Sequence, residues 1–168
     1  CCRRVVRVSG NWAICRAERA FARPSRKHYH GRSFAIESVM KFAIAVFSAA
    51  HAPSSRRALL FARAVIEGGH QITCLFFYQD GVYNAASSLV TPQDEPDLAR
   101  QWRELVEEHQ LDAVVCIAAA LRRGALNAEE ALRYNRTATV EAPWVLSGLG
   151  QLHDAAQSAD RLICFGGA

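Results

Sequence analysis

One cysteine within an apolar stretch of this chain is followed closely by two arginines, and these three side chains are the strongest candidates for chemistry. Cys116 lies in the apolar stretch of residues 111–117, and Arg122 and Arg123 follow it after a short run of alanines. Nearby cations favour the thiolate, the form of cysteine that attacks sulfur, carbon or phosphorus. Free cysteines are also among the most buried residues, so simple core packing of Cys116 stays open as the alternative.

The position of Cys116 along the chain strengthens the chemical interpretation. Residues 111–117 are almost wholly apolar, which is typical of a parallel strand covered on both faces. In open parallel sheets, ligands gather at the carboxyl ends of the strands. We therefore expect Cys116 near the functional edge of a sheet, with Arg122 and Arg123 stabilising its anion.

Other chemistries find weaker support in the spacing. The C-x5-R spacing of Cys116 and Arg122 matches the phosphate loop of cysteine phosphatases, which leaves a small phosphatase or arsenate reductase as an alternative. However, the intervening IAAAL lacks the glycine such a loop usually needs, and Arg123 stands where a hydroxyl residue is usual. The SGLG turn lacks the third glycine of a dinucleotide fingerprint, and capping of a helix by Ser147 explains it as well.

Histidines and cysteines give no metal or disulfide signal. Four histidines stand singly without metal-ligand spacing: His51, His70, His109 and His153. The six cysteines form no CxxC pair, and three of them, Cys74, Cys116 and Cys164, fall in apolar strand-like runs. We expect reduced thiols in a soluble, cytoplasmic protein without metal or disulfide framework.

Length and charge limit the organisation of the chain. Its 168 residues, 51% of them hydrophobic, are enough for one well-buried core. Residues 1–39 carry nine Lys/Arg against two acidic residues, whereas residues 40–168 carry eleven against fourteen. The second part is therefore mildly acidic and gives no footprint for direct nucleic-acid contact.

The charge asymmetry predicts two regions. Residues 1–39 have no sustained periodicity and are interpreted as a basic, disordered leader, of upstream or expression origin. An organelle transit peptide or a polyanion-binding arm is the alternative for this leader. Met40, the only methionine, opens the strand-like MKFAIAVFS, and residues 40–168 are predicted to form a single domain.

Alternating strand and helix patterns predict an α/β fold, a three-layer α/β/α sandwich with a mostly parallel central sheet and flavodoxin-like layering. The predicted strands are residues 41–48, 71–78, 111–117, 143–146 and 161–165. The predicted helices are residues 55–67, 97–109, 128–134 and 149–159, the third capped by Asn127. The polar connection at residues 81–96 and the helix after Cys116 are where we expect partners to bind.

Several segments, in this order, resemble the DsrE/TusD family of sulfurtransferases. They are MKFAIAVFS at residues 40–48, FFYQDGVYNA at 76–85, VCIAAALRRG at 115–124, LSGLGQL at 146–152 and DRLICFG at 160–166. The resemblance implies a DsrE/F-like fold and a sulfurtransferase in which Cys116 takes up a persulfide sulfur. That sulfur would then pass to the cysteine of the next carrier.

The resemblance also implies partners and a pathway. The partners are TusB-like and TusC-like sister subunits in a hetero-oligomer, an upstream TusA-like donor and a downstream TusE-like acceptor. The relay would serve 2-thiolation of the tRNA wobble uridine, without cofactor, membrane or direct nucleic-acid contact. The alternatives are a DsrE-type subunit of oxidative sulfur metabolism and a non-catalytic scaffold subunit.

Overall fold

The fold alternates strands and helices, as predicted. A computed structural model describes residues 38–166, so the predicted leader lies outside the described residues except for its last two. The elements are β1 Lys41–Val46, α1 Pro53–Glu67, β2 Gln71–Phe77, α2 Leu98–His109, β3 Ala113–Cys116, α3 Ile117–Arg122, α4 Ala128–Tyr134, β4 Val145–Ser147, α5 Leu149–Ser158 and β5 Arg161–Phe165. A 3₁₀ helix, Gln79–Ala85, follows β2. No helix within residues 38–166 is long and apolar enough to cross a membrane.

The five strands form one sheet in the order β4-β3-β2-β1-β5, and every neighbouring pair is parallel. The predicted α/β sandwich is confirmed, with a sheet that is wholly parallel in the described part of the chain. Because the strands are parallel, all their carboxyl ends lie along one edge. The residues after β1, β2, β3 and β4 therefore meet at that edge.

Aromatic packing anchors the centre of the sheet to the helical layer. Phe77, the last residue of β2, packs edge-on against Trp102 of α2 and against Trp144, with ring centroids 5.3 Å and 5.1 Å apart. All three side chains are buried. The apolar face of α2 is therefore directed inward, and a large apolar area is removed from water beside β3.

Helix ends follow the capping residues in the sequence. The Asn127 side chain accepts a hydrogen bond from the Glu130 amide at 3.0 Å, which confirms the predicted cap of α4. Asp97 caps α2 in the same way, through the Arg100 amide at 2.9 Å. The predicted cap at Ser147 is wrong, because Gly148 is the N-cap of α5 and no side chain caps that helix.

The connection after β2 is more ordered than the predicted polar loop. Asn84 in the 3₁₀ helix is buried, and its amide nitrogen donates to the carbonyl oxygens of Ser48 at 3.0 Å and Gly81 at 2.8 Å. Its amide oxygen accepts from the Ser55 hydroxyl of α1 at 2.7 Å. These bonds hold the 3₁₀ helix against the carboxyl end of β1, since a buried amide without partners would be costly.

Glycine is required at position 81, where the 3₁₀ helix passes close to the last residue of β1. A Cβ atom on Gly81 would overlap the carbonyl group of Val46. We expect Gly81→Ala to lower the free energy of unfolding by about 2–4 kcal/mol, because the backbone of β1 cannot move aside without disturbing the sheet. Denaturant unfolding followed by circular dichroism measures the change.

Gly150→Ala is the matched control, because nothing lies within 4 Å of the Cβ that it would add in α5. That variant should be neutral or more stable by up to about 1 kcal/mol. Equal unfolding midpoints for Gly81→Ala and the wild type would contradict the steric account.

Candidate functional site

Cys116 lies at the carboxyl edge of the sheet. It is the last residue of β3 and the N-cap of α3, and it pairs in register with Ser147 at the end of β4. The predicted strand of residues 111–117 is shorter in the structure, because Ile117 already begins α3. The sharp strand-to-helix transition leaves the cysteine at the point where the chain turns back over the sheet.

The Cys116 side chain is nevertheless covered, with 1% of its surface exposed. The thiol is therefore not accessible to a partner in the conformation of the isolated chain. The physical reason is local: α3 starts immediately after Cys116, and the 3₁₀ helix Gln79–Ala85 packs against both β3 and α3. Cys116 makes no capping hydrogen bond with the start of α3.

The two arginines that the sequence placed together have different surroundings. Arg123, the C-cap of α3, binds Asp80 of the 3₁₀ helix, with both Nη2 and Nε close to Oδ1, at 2.8 Å and 2.9 Å. Arg122 is exposed in the last turn of α3 and forms no ion pair with the residues that the structure describes. The charge of Arg123 is thus already balanced by Asp80, whereas the charge of Arg122 is free.

The phosphatase alternative does not fit this geometry. A phosphate-binding loop wraps an anion in backbone N–H groups between the cysteine and the arginine. Here residues Ile117–Arg122 form a helix, so most of those amides are directed along the helix axis. Arg122 lies at the far end of that helix instead of facing Cys116 across a loop.

The other two described cysteines are poor candidates for a carrier, for opposite reasons. Cys74 of β2 is buried, and this burial, with a smaller contribution from the negative charge of Asp112, raises the pKa of its thiol from 9.0 to about 12. It is therefore protonated and inert at neutral pH. Cys164 is exposed on β5, the edge strand that β1 and β2 separate from β3 and Cys116.

Ser147 is the neighbour of Cys116 that sequence reasoning assigned to another role. Its half-buried side chain lies on β4 at the register position opposite Cys116. A hydroxyl at this edge can donate a hydrogen bond to an anion. The signal in the sequence was a serine directly after an apolar strand, and parallel pairing of β3 with β4 is what brings it beside the cysteine.

Metal chemistry has no structural support in the described region. Residues 38–166 contain no group of three or more His, Cys, Asp or Glu side chains that could hold a metal ion. His51, in the turn after β1, is exposed.

Comparison with known proteins decides the family. A model of the DsrE/DsrF-like family matches residues 40–165. The chain belongs to the DsrE/DsrF-like family. The resemblance found in the sequence segments is thereby confirmed, and the match includes Cys116, both arginines and Ser147.

Curated relatives carry the names of sulfurtransferases. A sulfurtransferase TusD homolog of Pseudomonas aeruginosa is 67% identical over 129 residues, which cover 76% of this chain and 98% of the relative. A putative sulfurtransferase DsrE of Allochromatium vinosum is 44% identical over 129 residues, covering 76% and 99%. The sulfurtransferase TusD of Salmonella newport is 40% identical over 128 residues, covering 75% and 100%.

A solved structure supports the fold independently. The crystal structure of the ychN protein from E. coli matches with a TM-score of 0.60 at 17% identity, covering 76% of this chain and all of the other. At this identity the likeness concerns the fold alone.

The raised pKa of Cys74 predicts a pH dependence of stability. Below about pH 9 the thiol is protonated in both folded and unfolded chains, so its contribution is constant. Above that pH the unfolded chain loses the proton while the folded chain keeps it up to about pH 12, so stability is lost as the pH rises. We expect this group to cost about 1.4 kcal/mol at pH 10.

Cys74→Ala provides the comparison, because it removes the titrating thiol and leaves every other alkaline group in place. Free energies of unfolding measured at pH 8 and pH 10 should fall less in Cys74→Ala than in the wild type. The same fall in both proteins would contradict the assignment.

Proposed function

We propose that this chain is a sulfur carrier that accepts persulfide sulfur on Cys116 and passes it to the next carrier in a relay. The observation that carries the proposal is the position of Cys116 at the carboxyl edge of the sheet, in a chain 67% identical to a relative named as a sulfurtransferase. Cys74 is protonated in the core and Cys164 lies on an edge strand, so neither offers an equivalent site.

The proposed transfer needs neither a cofactor nor an oxidant. The Cys116 thiolate attacks the outer sulfur of the donor persulfide, and the donor's S–S bond breaks as the new S–S bond forms. The donor leaves as a thiolate, and Cys116 holds the sulfur as a persulfide. In the second step the acceptor thiolate attacks that outer sulfur, and the Cys116 thiolate is released.

The neighbouring residues have separate proposed roles. Arg122 has a positive charge that no described carboxylate balances, but it is exposed at the far end of α3 from Cys116, so we assign it to attracting a partner and not to stabilising the thiolate. Arg123 has a structural role in this proposal, because its ion pair with Asp80 connects α3 to the 3₁₀ helix. Ser147 pairs in register with Cys116, and we propose its hydroxyl as a donor to the persulfide.

Partner binding follows from two features of the surface. With 1% of Cys116 exposed, the thiol must become accessible when a donor or an acceptor docks. Large apolar side chains also face solvent, among them Leu132 at 85% and Val90 at 88% exposure. We propose that TusB-like and TusC-like sister subunits cover part of this surface, with a TusA-like donor and a TusE-like acceptor, in the cytoplasm.

For the pathway, we favour 2-thiolation of the tRNA wobble uridine over oxidative sulfur metabolism. The identity of 67% to a TusD homolog exceeds the 44% to a DsrE protein, which supports the TusD branch. The alternative is a non-catalytic scaffold subunit, which would not need a cysteine at the carboxyl edge of the sheet.

Sulfur loading tests the proposal directly. The full chain incubated with a cysteine desulfurase, cysteine and a small sulfur-carrier protein should gain about 32 Da, the mass of one sulfur atom, in intact-mass spectrometry. Cys116→Ala should not gain this mass, because Cys74 is protonated in the core and Cys164 lies on the edge strand β5, away from the proposed site.

Cys164→Ser is the matched control, since Cys164 is an exposed thiol away from the proposed site, and this variant should load like the wild type. Cys116→Ala is preferred to a serine substitution, because a hydroxyl buried without a partner costs about 1–3 kcal/mol. Equal loading of wild type and Cys116→Ala would favour a scaffold role.

The pathway can be tested in cells that lack this protein. We expect their tRNA to lose 2-thiouridine in nucleoside mass spectrometry, since no sulfur would reach the modifying enzyme. The wild-type gene should restore the nucleoside and the Cys116→Ala gene should not. Unchanged 2-thiouridine, together with a defect in sulfur oxidation, would assign the DsrE-type role instead.

A further inference from the structure

A cleft lies at the end of α3 that is remote from Cys116. It has a volume of about 700 Å³ and lies between the last residues of α3, the segment leading into α4 and the residues that end α4. Leu121 and Leu126 give it apolar walls, and the half-exposed ring of Tyr134 lies at its side.

The charge of the cleft is positive and unbalanced. Arg122 and Arg136 line it, both are exposed, and neither forms an ion pair with any residue in 38–166. Within the described part of the chain, the Arg136 guanidinium donates a single hydrogen bond, 3.5 Å long, to the Asn135 carbonyl oxygen. Among the residues that the structure describes, no Asp or Glu lines the cleft.

Other arginines near the cleft are paired. Arg123 binds Asp80, and Arg133 binds Glu130 at 3.0 Å and Glu129 at 3.9 Å. Of the four arginines in α3, in α4 and directly after them, only the two that line the cleft have no carboxylate partner among the described residues. Guanidinium groups that are exposed and unpaired can bind carboxylates in a bidentate manner.

We infer that this cleft binds an extended acidic segment, with an aliphatic residue among its carboxylates, of a protein that exchanges sulfur with Cys116. The inference rests on the proposed function and adds the docking site and the chemistry of the partner. Arg122 and Arg136 bind the carboxylates, and the leucine walls and the Tyr134 ring contact the aliphatic side chain.

The distance to Cys116 suits this arrangement. Helix α3 rises about 1.5 Å per residue, so its six residues place the cleft about 9 Å along the helix from Cys116. An extended chain covers about 3.3 Å per residue. A cysteine about three residues from the acidic run would reach the edge where Cys116 lies.

A protein segment agrees better with the charges than RNA does. Residues 40–168 carry eleven Lys/Arg against fourteen Asp/Glu, so the composition provides no extended basic surface of the kind that a long polyanion such as RNA needs. Two arginines between leucine walls match a short mixed acidic and apolar peptide. Residues 1–39 of this chain are strongly basic and are excluded as the occupant by the same argument.

Fluorescence anisotropy with a labelled peptide containing Glu-Leu-Glu-Glu, and with its Gln-Leu-Gln-Gln counterpart, tests the cleft. We expect the full chain to bind the acidic peptide about tenfold more tightly than the neutral one. The double variant Arg122→Glu/Arg136→Glu should lose this preference. The double variant Arg56→Glu/Arg57→Glu, which makes the same charge change at exposed positions of α1, should keep it.

Equal binding of the two peptides by the wild type, or a preference that survives Arg122→Glu/Arg136→Glu, would overturn the docking site. So would tighter binding of a tRNA transcript that depends on the same arginines, which would assign the cleft to RNA. A change of oligomeric state on charge reversal, measured by light scattering, would instead assign the cleft to a second copy of the chain.

The two proposals fail separately. Cys116→Ala should bind the acidic peptide like the wild type, because Cys116 does not line the cleft. If peptide binding follows the arginines but Cys116 takes up no sulfur, the proposed function fails and the acidic docking site remains. If Cys116 takes up sulfur and the peptide preference is absent, only the docking site is contradicted.

Discussion

The surroundings of Cys116 depend on one buried asparagine in the connection after β2. Asn84 satisfies its side-chain amide with two backbone carbonyl groups and the Ser55 hydroxyl, and each of these bonds is costly to leave unmade inside the protein. They fix the 3₁₀ helix over the end of β1 and against β3 and α3. Asp80 of the same 3₁₀ helix forms an ion pair with Arg123 at the end of α3. The 3₁₀ helix therefore contacts both β3, which ends at Cys116, and α3, which follows it.

This arrangement separates the proposed carrier thiol of Cys116 from the arginine charges to which we assign partner binding. Cys116 is covered by the turn of the chain into α3, and Arg123 is neutralised by Asp80. The unbalanced positive charge lies at the other end of α3, at Arg122 and Arg136, where a partner can bind without touching the thiol. A covered thiol would also limit loss of the proposed persulfide sulfur to solvent, while docking in the cleft at the end of α3 would bring the partner's cysteine towards Cys116.

Much of this fold follows from the sequence because local and global signals agree. Asn127 caps its helix as predicted, and the last strand has the predicted bounds. The boundary between β3 and α3 was misplaced, because Ile117 is apolar and suits a strand as well as a helix. The order of the strands is not encoded in any local sequence pattern. It determines that Cys164 is exposed, that Arg123 pairs with Asp80 and that Ser147 lies beside Cys116.

The central claim is that sulfur is held on Cys116 and on no other cysteine of the chain. After loading by a cysteine desulfurase, trapping with iodoacetamide, digestion without reductant and peptide mass spectrometry locate the persulfide among the six cysteines. The account predicts one additional sulfur on the peptide that contains Cys116. An additional sulfur on Cys164, on Cys74 or on the cysteines of residues 1–39, with none on Cys116, would contradict it.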